Sequence, residues 1–335
     1  MHPMQEPPTD SPEIETPDRE EADVEHFAWR VGKNLDRRID QYLVDRVGYM
    51  SRAQVQRVIE EGLVKVNGRV AKSSYKPRLN DEIEMVAPPE PVTEIVPEPI
   101  PLEIIYEDDH FMAINKQSGI MVHPARGKWT GTLVNGLIHY GKKWSTINGN
   151  WRPGILHRLD RNTTGVMLIA KSDEAHWRIA RQFENRTIQK TYVAVCHGIP
   201  ALRGDVIDMP IGKDKYAREK QAVRKEENGG KPAMTIYEVQ ETFAKPGEEK
   251  YSFLKLTPKT GRTHQLRVHM SHLGFPLVGD DMYSGRPFVR DDFRFERQAL
   301  HAFEITFVHP ATLKNMTISA PIPPDMERLL GFLRS

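Results

Sequence analysis

Six prolines fall between residues 88 and 101: Pro88, Pro89, Pro91, Pro97, Pro99 and Pro101. Proline lacks an amide hydrogen and fixes its φ angle, so neither a helix nor a central strand continues through such a run. Residues 88–101 therefore read as a semi-rigid, extended linker that divides the chain into separate bodies. Before the linker, residues 26–87 carry enough apolar side chains for a small module. After it, residues 102–335 are long enough to bury a large core. Residues 1–25 hold nine acids against one Arg and almost nothing to bury. They read as a disordered acidic tail.

The net charge of +1 conceals an uneven distribution, because residues 108–335 carry ten positive charges in excess. Such a body suits an RNA ligand, since neutralising phosphates releases counterions, but it does not demand one. The mean hydropathy is −0.56. No apolar run approaches membrane-spanning length, and the amino terminus lacks the basic start and apolar segment of a secretory signal. A soluble, cytoplasmic protein with no membrane partner is the expectation. A single cysteine, Cys196, excludes an internal disulfide and any multi-cysteine zinc site.

In the small module, Leu35, Ile39, Leu43 and Val47 recur every four residues and form one helical stripe. Ser51 with Gln54 is a capping box for a second helix, whose face is Val55, Val58 and Ile59 and whose stop is Gly62. Leu63–Val66 and Arg69–Ala71 flank Asn67-Gly68, a strong hairpin signal. Arg37, Arg38, Arg52, Arg57, Lys65 and Lys72 supply the polar complement.

The large body contains His157-Arg158-Leu159-Asp160-Arg161-Asn162-Thr163-Thr164-Gly165, then the apolar run Val166–Ala170. Too many charges would need partners for the polar stretch to be a core strand, whereas the apolar run reads as one. Asp160 thus sits on a loop held against a sheet, where catalytic groups are often placed. The residues alone favour the plainer reading, in which Asp160 merely pairs with Arg158 or Arg161 to close the loop.

Around this stretch, two strand-like runs open the body, Leu102–Asp108 and Phe111–Lys116, and Thr132–Ile138 reads as a helix on its outer surface. Ser172 caps a helix with Ala175, Ile179 and Phe183 inward. Lys190–Cys196 is a strand, as is the alternating Tyr251–Leu256. Residues 203–235 are polar and basic, with Lys213, Lys215, Arg218, Lys220, Arg224 and Lys225 about Tyr216, and read as a hairpin or flexible arm touching phosphates, or as a merely solvated loop. Thr263 is placed to cap a helix with Leu266, Met270 and Leu273 inward, ending at Gly274. His264, His269 and His272 fall at no standard zinc spacing. Gln298–Ala302, Ile305–Phe307 and Met316–Ala320 read as strands before a short closing helix from Pro324.

His157-Arg158-Leu159-Asp160 with Thr163-Thr164-Gly165 resembles the active-site loop of the RluA-type RNA pseudouridine synthases. Asn115-Lys116 with Gly119–Pro124 resembles the family's first motif, although Gln117 stands where Pro is common. Lys190-Thr191-Tyr192 resembles its Lys-x-Tyr element, and Lys259–Arg267 through Gly279-Asp280 its third motif. The small module is similar to the S4-type RNA-binding domain. The likeness covers residues 102–333, and Ala320–Pro323 looks most like the synthases acting on large-subunit ribosomal RNA.

The resemblance implies an α+β fold: a catalytic domain on a mixed, largely antiparallel sheet with flanking helices, plus a small N-terminal helix-and-hairpin module. It implies isomerisation of specific uridines to pseudouridine, most naturally in 23S ribosomal RNA or the assembling subunit. No cofactor is implied, neither metal nor nucleotide, because the reaction involves no redox change, phosphate transfer or net hydrolysis. Asp160 would supply the reacting carboxylate, Arg267 its cationic partner, and Tyr192 a ring stacked on the uracil. Arg158 would fill the space left by the extruded nucleotide, and Leu300 would wall the uracil pocket. His157 and Arg262 would contact substrate or backbone, the first motif would brace the loop, and Arg52, Arg57, Lys65 and Asn67 would grip RNA. Transfer RNA is an alternative substrate, a non-catalytic ribosome-assembly factor an alternative role, and a metal-dependent hydrolase using the histidines with Asp280 and Asp281 a third.

Overall fold

The computed structural model describes residues 24–47, 50, 52–87, 95–124, 129–141, 143–149, 152–217 and 219–335. Residues 1–23 of the acidic leader, the Ser51 cap, residues 88–94 of the linker and Arg218 of the basic arm lie outside the described residues. Two compact units are divided between Thr93 and Glu94.

The smaller unit comprises β1 (Glu25–Arg30), α1 (Ile39–Val47), α2 (Arg52–Glu60), β2 (Val64–Val66), β3 (Arg69–Val70) and β4 (Glu82–Ala87). The stripe of Ile39, Leu43 and Val47 packs on Val55, Val58 and Ile59, and both helices cover Val64, Ile83 and Met85. Leu35 packs against this core from ahead of the helix. The β2–β3 turn is the expected two-residue hairpin, with φ positive at both Asn67 (50°) and Gly68 (76°). One element departs from the sequence reading: β1 pairs along its whole length with β4, Glu25 opposite Ala87. Glu25, assigned to the leader, therefore belongs to the sheet. Glu25 is half-buried on the face that also carries Phe27 and Trp29, an alternation too weak to register beside so many acids.

The larger unit is built on one mixed sheet. Its strands are β5 (Ile104–Glu107), β6 (Phe111–Lys116), β7 (Thr164–Ala170), β8 (Gln189–His197), β9 (Gly204–Asp208), β12 (Met234–Phe243), β13 (Tyr251–Pro258), β16 (Leu300–Val308) and β17 (Asn315–Ser319). Two small hairpins stand apart, β10 (Ile211–Lys213) with β11 (Gln221–Val223), and β14 (Phe288–Arg290) with β15 (Phe293–Phe295). The spatial order is β5-β6-β7-β16-β8-β13-β12-β9, with β17 paired to β16. All these pairings are antiparallel except β7 with β16. Both β6 and β7 are buried at every residue, which explains their unbroken apolar runs.

Helices cover both faces. Met112, Ile114, Met167 and Ile169 pack beneath α3 (Leu133–Tyr140), while Phe111, Ala113, Val166 and Leu168 pack with Ile179 of α4 (Asp173–Glu184). Ala194 and Cys196 meet Leu266 and Met270 of α5 (Gln265–His272), and Val193 and Val195 meet Leu329 and Leu330 of α6 (Pro324–Arg334).

Three expectations are corrected here. α3 is not on the outer surface, because Leu133 to Leu137 are all buried. The residues covering it are 95–102, the latter part of what reads as linker. Asn135 donates through its side-chain amide to the Val96 carbonyl (2.9 Å), Glu98 accepts from the Gly131 amide (2.9 Å), and Ile95 and Leu102 join the core. Prolines bar this segment from a strand ladder but not from packing, so the larger unit begins before residue 102. β9 lies at the sheet's end within the polar stretch 203–235, which showed no apolar periodicity because four of its five residues are exposed. The same stretch does form the β10–β11 hairpin. Lastly, Thr263 does not cap α5: His264 holds that position with φ of 56° and no side-chain cap.

Two desolvated histidines, fully buried His301 and half-buried His157, give the larger unit a pH dependence. His301 is fully buried in β16; its Nε2 donates to the Ala320 carbonyl (3.3 Å) and its Nδ1 accepts from the Thr164 hydroxyl (2.8 Å). Burial pulls its pKa down to about 4, and burial with the charge of Lys190 pulls His157 to about 3. In the unfolded chain both take protons near the ordinary value of about 6.5. Stability present above that pH is therefore lost as pH falls toward 4, by up to about 1.4 kcal/mol per unit for each histidine. Denaturant unfolding at pH 7 and pH 5 checks this, with about 3–4 kcal/mol less stability expected at pH 5; equal stability at both would refute it.

Candidate active site

The loop carrying Asp160 is held from four sides. The Asp160 carbonyl accepts from the Thr163 amide (3.0 Å), closing a turn. Fully buried Lys116, at the end of β6, donates from Nζ to the carbonyls of Gln117 (2.8 Å) and Arg161 (3.0 Å). Arg161 Nε donates to the Gly119 carbonyl (2.9 Å), so the 115–119 segment braces the loop through backbone groups. From β16's approach, Gln298 donates to the Thr163 hydroxyl (3.2 Å) and Arg297 to the Asn162 carbonyl (3.3 Å). Burial drops the Lys116 pKa to about 7, against the pull of Asp160 and with the push of Arg297.

Gly165, which ends the polar stretch, has φ of 116° and pairs with Ala302. A Cβ there would lie 2.2 Å from the Ala302 carbonyl oxygen. Only glycine allows β7 to approach β16 this closely and so brings the loop beside β8.

Asp160 meets the first turns of α5. Arg267 Nη1 donates to Asp160 Oδ2 (3.1 Å), while its Nε and Nη2 donate to Oδ2 and Oδ1 of Asp280 (2.7 Å each). The guanidinium lies over the Tyr283 ring at 5.0 Å. Asp280 is fully buried and Arg267 nearly so. Burial alone would pull the Arg267 pKa down; the bonds to Asp280 and the charge of Asp160 more than offset this and hold it up. The result is a cation fixed by one carboxylate and presented to another.

Tyr192 stands in β8 between Leu256 of β13 and Ala302 of β16. Burial, and then the charge of Asp160, push its phenol well above the ordinary value, so it is a neutral hydrogen-bonding ring. Asp160, Tyr192, Arg267, His157, Arg158, Arg262 and Leu300 all line one cavity of 510 Å³, within the range for small-ligand sites.

Two more of these side chains are already engaged. His157 Nε2 accepts from the Leu168 amide (3.0 Å) and its ring packs on Phe183. Its polar edge therefore pins the loop to β7. Arg262 Nε donates to the Pro232 carbonyl (3.0 Å). In the smaller unit, Arg52 Nε donates to fully buried Asp40 (3.0 Å), which also accepts from Gln56 (2.7 Å). The Asn67 side chain bonds Asp81 (2.9 Å) and the Glu82 amide (2.9 Å). Arg57 and Lys65 are exposed.

Sequence reasoning did not single out Asp280 as the anchor of Arg267, nor Lys116, Tyr283 or His264. Asp280 entered as the end of the third-motif segment and as a conceivable metal ligand, with no partner assigned, and His264 Nε2 lies 3.8 Å from Asp160 Oδ1. Their spacing in sequence carries no sign of convergence, which arises from the β13–α5 connection folding back over the sheet. Among the described residues no helix is long and apolar enough to cross a membrane.

Comparisons with known proteins bear on the family and the fold. The family model for RNA pseudouridylate synthases matches residues 110–272, and that for the S4 domain matches residues 37–83. An RNA pseudouridine synthase of Bacillus subtilis is 40% identical over 297 residues, covering 89% of this chain and 94% of its own length. The ribosomal large subunit pseudouridine synthase D of Haemophilus influenzae is 37% identical, over 90% of this chain and 93% of its own. Among solved structures, human RNA pseudouridylate synthase domain containing 1 covers 70% of this chain and 95% of its own, with a TM-score of 0.53 and 25% identity.

Proposed function

The chain belongs to the RNA pseudouridylate synthase family, and from that premise we propose that it isomerises specific uridines of large-subunit ribosomal RNA, using Asp160 and no cofactor. The observation that carries the reading is the single cavity into which Asp160, Tyr192 and Arg267 converge. Breaking the bond from ribose to the base nitrogen and rejoining the uracil through carbon needs one charged carboxylate and an enclosed space that retains the freed base. Arg267 keeps Asp160 oriented and charge-paired without consuming it, since two of its three donor bonds go to Asp280. Tyr192 and Leu300 form the apolar walls against which a flipped uracil stacks, and exposed Arg158 fills the gap left in the RNA. The ribosomal assignment is supported by the relatives named for that substrate. Mapping pseudouridines in the cell's ribosomal and transfer RNA with and without the gene tests it: loss at large-subunit positions is expected, and loss confined to transfer RNA would redirect the substrate.

The S4 unit supplies affinity in this reading, with Arg57 and Lys65 as outward cations and Arg52 sharing its charge with Asp40. Deleting residues 1–93 is expected to weaken binding to structured RNA by about tenfold or more, through lost phosphate contacts. Turnover of a short RNA should remain detectable. Unchanged affinity in a filter-binding titration would remove the module from substrate capture.

A further inference from the structure

His264 occupies an unusual position. It is a non-glycine residue in the left-handed region, φ 56°, at the start of α5, and it lines the same cavity as Asp160. Strain of this kind persists where surrounding contacts impose it, and it clusters at functional sites.

The protons around its ring can be assigned one by one. The Gln221 amide, on β11, donates to the Tyr283 hydroxyl (2.9 Å). That hydroxyl lies 2.8 Å from His264 Nδ1. With the oxygen already accepting from an amide, its own hydrogen is available to Nδ1, and the tautomer in which Nδ1 accepts is the one that also turns a donor toward the carboxylate. A neutral imidazole then carries its proton on Nε2, the nitrogen facing Asp160 Oδ1 at 3.8 Å. Burial also lowers the pKa of the ring, which favours the neutral form, with Asp160 and Asp280 opposing this and Arg267 and Arg158 adding to it. Arg267 holds Asp160 by Oδ2, so Oδ1 is the oxygen turned toward the donor.

We propose that His264 is a catalytic residue whose Nε2–H donates a hydrogen bond to the uracil O2 of the target uridine as the base detaches, with Tyr283 as the positioning residue that fixes its tautomer. This rests on the isomerase reading above. When the C1′–N1 bond breaks, its electron pair leaves with the uracil and spreads from N1 onto O2. A donor placed beside the carboxylate that faces the sugar meets that charge where it develops, and the proton stays on the imidazole throughout. At 3.8 Å the two groups are side by side, so one can face the sugar while the other faces the adjacent O2 of the same nucleotide.

The test uses the full-length protein and an RNA substrate carrying uridine or 2-thiouridine at the target, since sulfur accepts hydrogen bonds poorly. His264→Ala is expected to lower single-turnover rate by 10²–10³-fold on uridine with RNA affinity within about threefold, the usual effect of deleting one such donor. His264→Gln, which restores an N–H, should recover at least tenfold. On 2-thiouridine the wild type should slow, while His264→Ala should slow no further. Tyr283→Phe should cost about tenfold, and combining it with His264→Ala should add nothing. Additive losses with 2-thiouridine, or His264→Ala within threefold of wild-type rate, would overturn the assignment. If the wild type forms no pseudouridine at all, the isomerase reading itself fails, a result distinct from either.

Discussion

Asp160→Asn is expected to lower pseudouridine formation by at least about 10⁴-fold, while RNA affinity stays within about twofold, because removing a reacting group costs far more than removing a contact. The fold should tolerate the change. Asparagine keeps an oxygen to accept from Arg267 Nη1, and the Arg267 fork remains paired with buried Asp280. The loop ties through Lys116, Arg297 and Gln298 do not involve the carboxylate. Release of hydrogen from uracil C5, which becomes the new glycosidic carbon, reads the reaction directly. A variant with a rate near wild type would take Asp160 out of the chemistry and leave it as a loop residue paired with Arg267.

Arg267→Met should be damaging in two separable ways. Asp280 has no exposed surface, so deleting its partner leaves a buried charge uncompensated, at a cost of about 3–5 kcal/mol of stability. Asp160 simultaneously loses the cation that orients it. Replacing both members, Arg267→Met with Asp280→Leu, should restore much of the stability but none of the activity, because the pair is not needed for folding when neither charge is present. Arg267→Lys separates the two effects further. A single ammonium cannot bridge two carboxylates in the geometry of the guanidinium fork, so stability should fall modestly and turnover by about 10²–10³-fold. Thermal unfolding alongside single-turnover rates distinguishes these cases. Full activity in Arg267→Lys would show that charge alone suffices.

Much of this arrangement is legible in the residues, for identifiable reasons. Asp160, Tyr192 and Arg267 sit in local motifs that resemble a known family, and the Asn67-Gly68 turn and the Leu266/Met270 face obey local rules of backbone and periodicity. What escapes reading is nonlocal. Asp280 and Arg267 are separated by thirteen positions and look, in sequence, like an exposed acid pair and a helical base; only the turn after α5 makes them a buried ion pair. Asp40 hides in the same way, an acid inside a helical stripe whose burial depends on Arg52 and Gln56 of the next helix. Segment 95–102 looks like linker because prolines dominate it, yet Ile95 and Leu102 complete the core around α3. β1 and β9 are edge strands with half or more of their residues exposed, so the alternation that would reveal them is diluted.

One assay is the most direct test of Asp160 chemistry: purified full-length protein and its Asp160→Asn variant incubated with unmodified large-subunit ribosomal RNA, with pseudouridine mapped at nucleotide resolution. The prediction is new pseudouridine at discrete positions with the wild type and none with the variant. Pseudouridine formed equally by both proteins, or by neither, would contradict it.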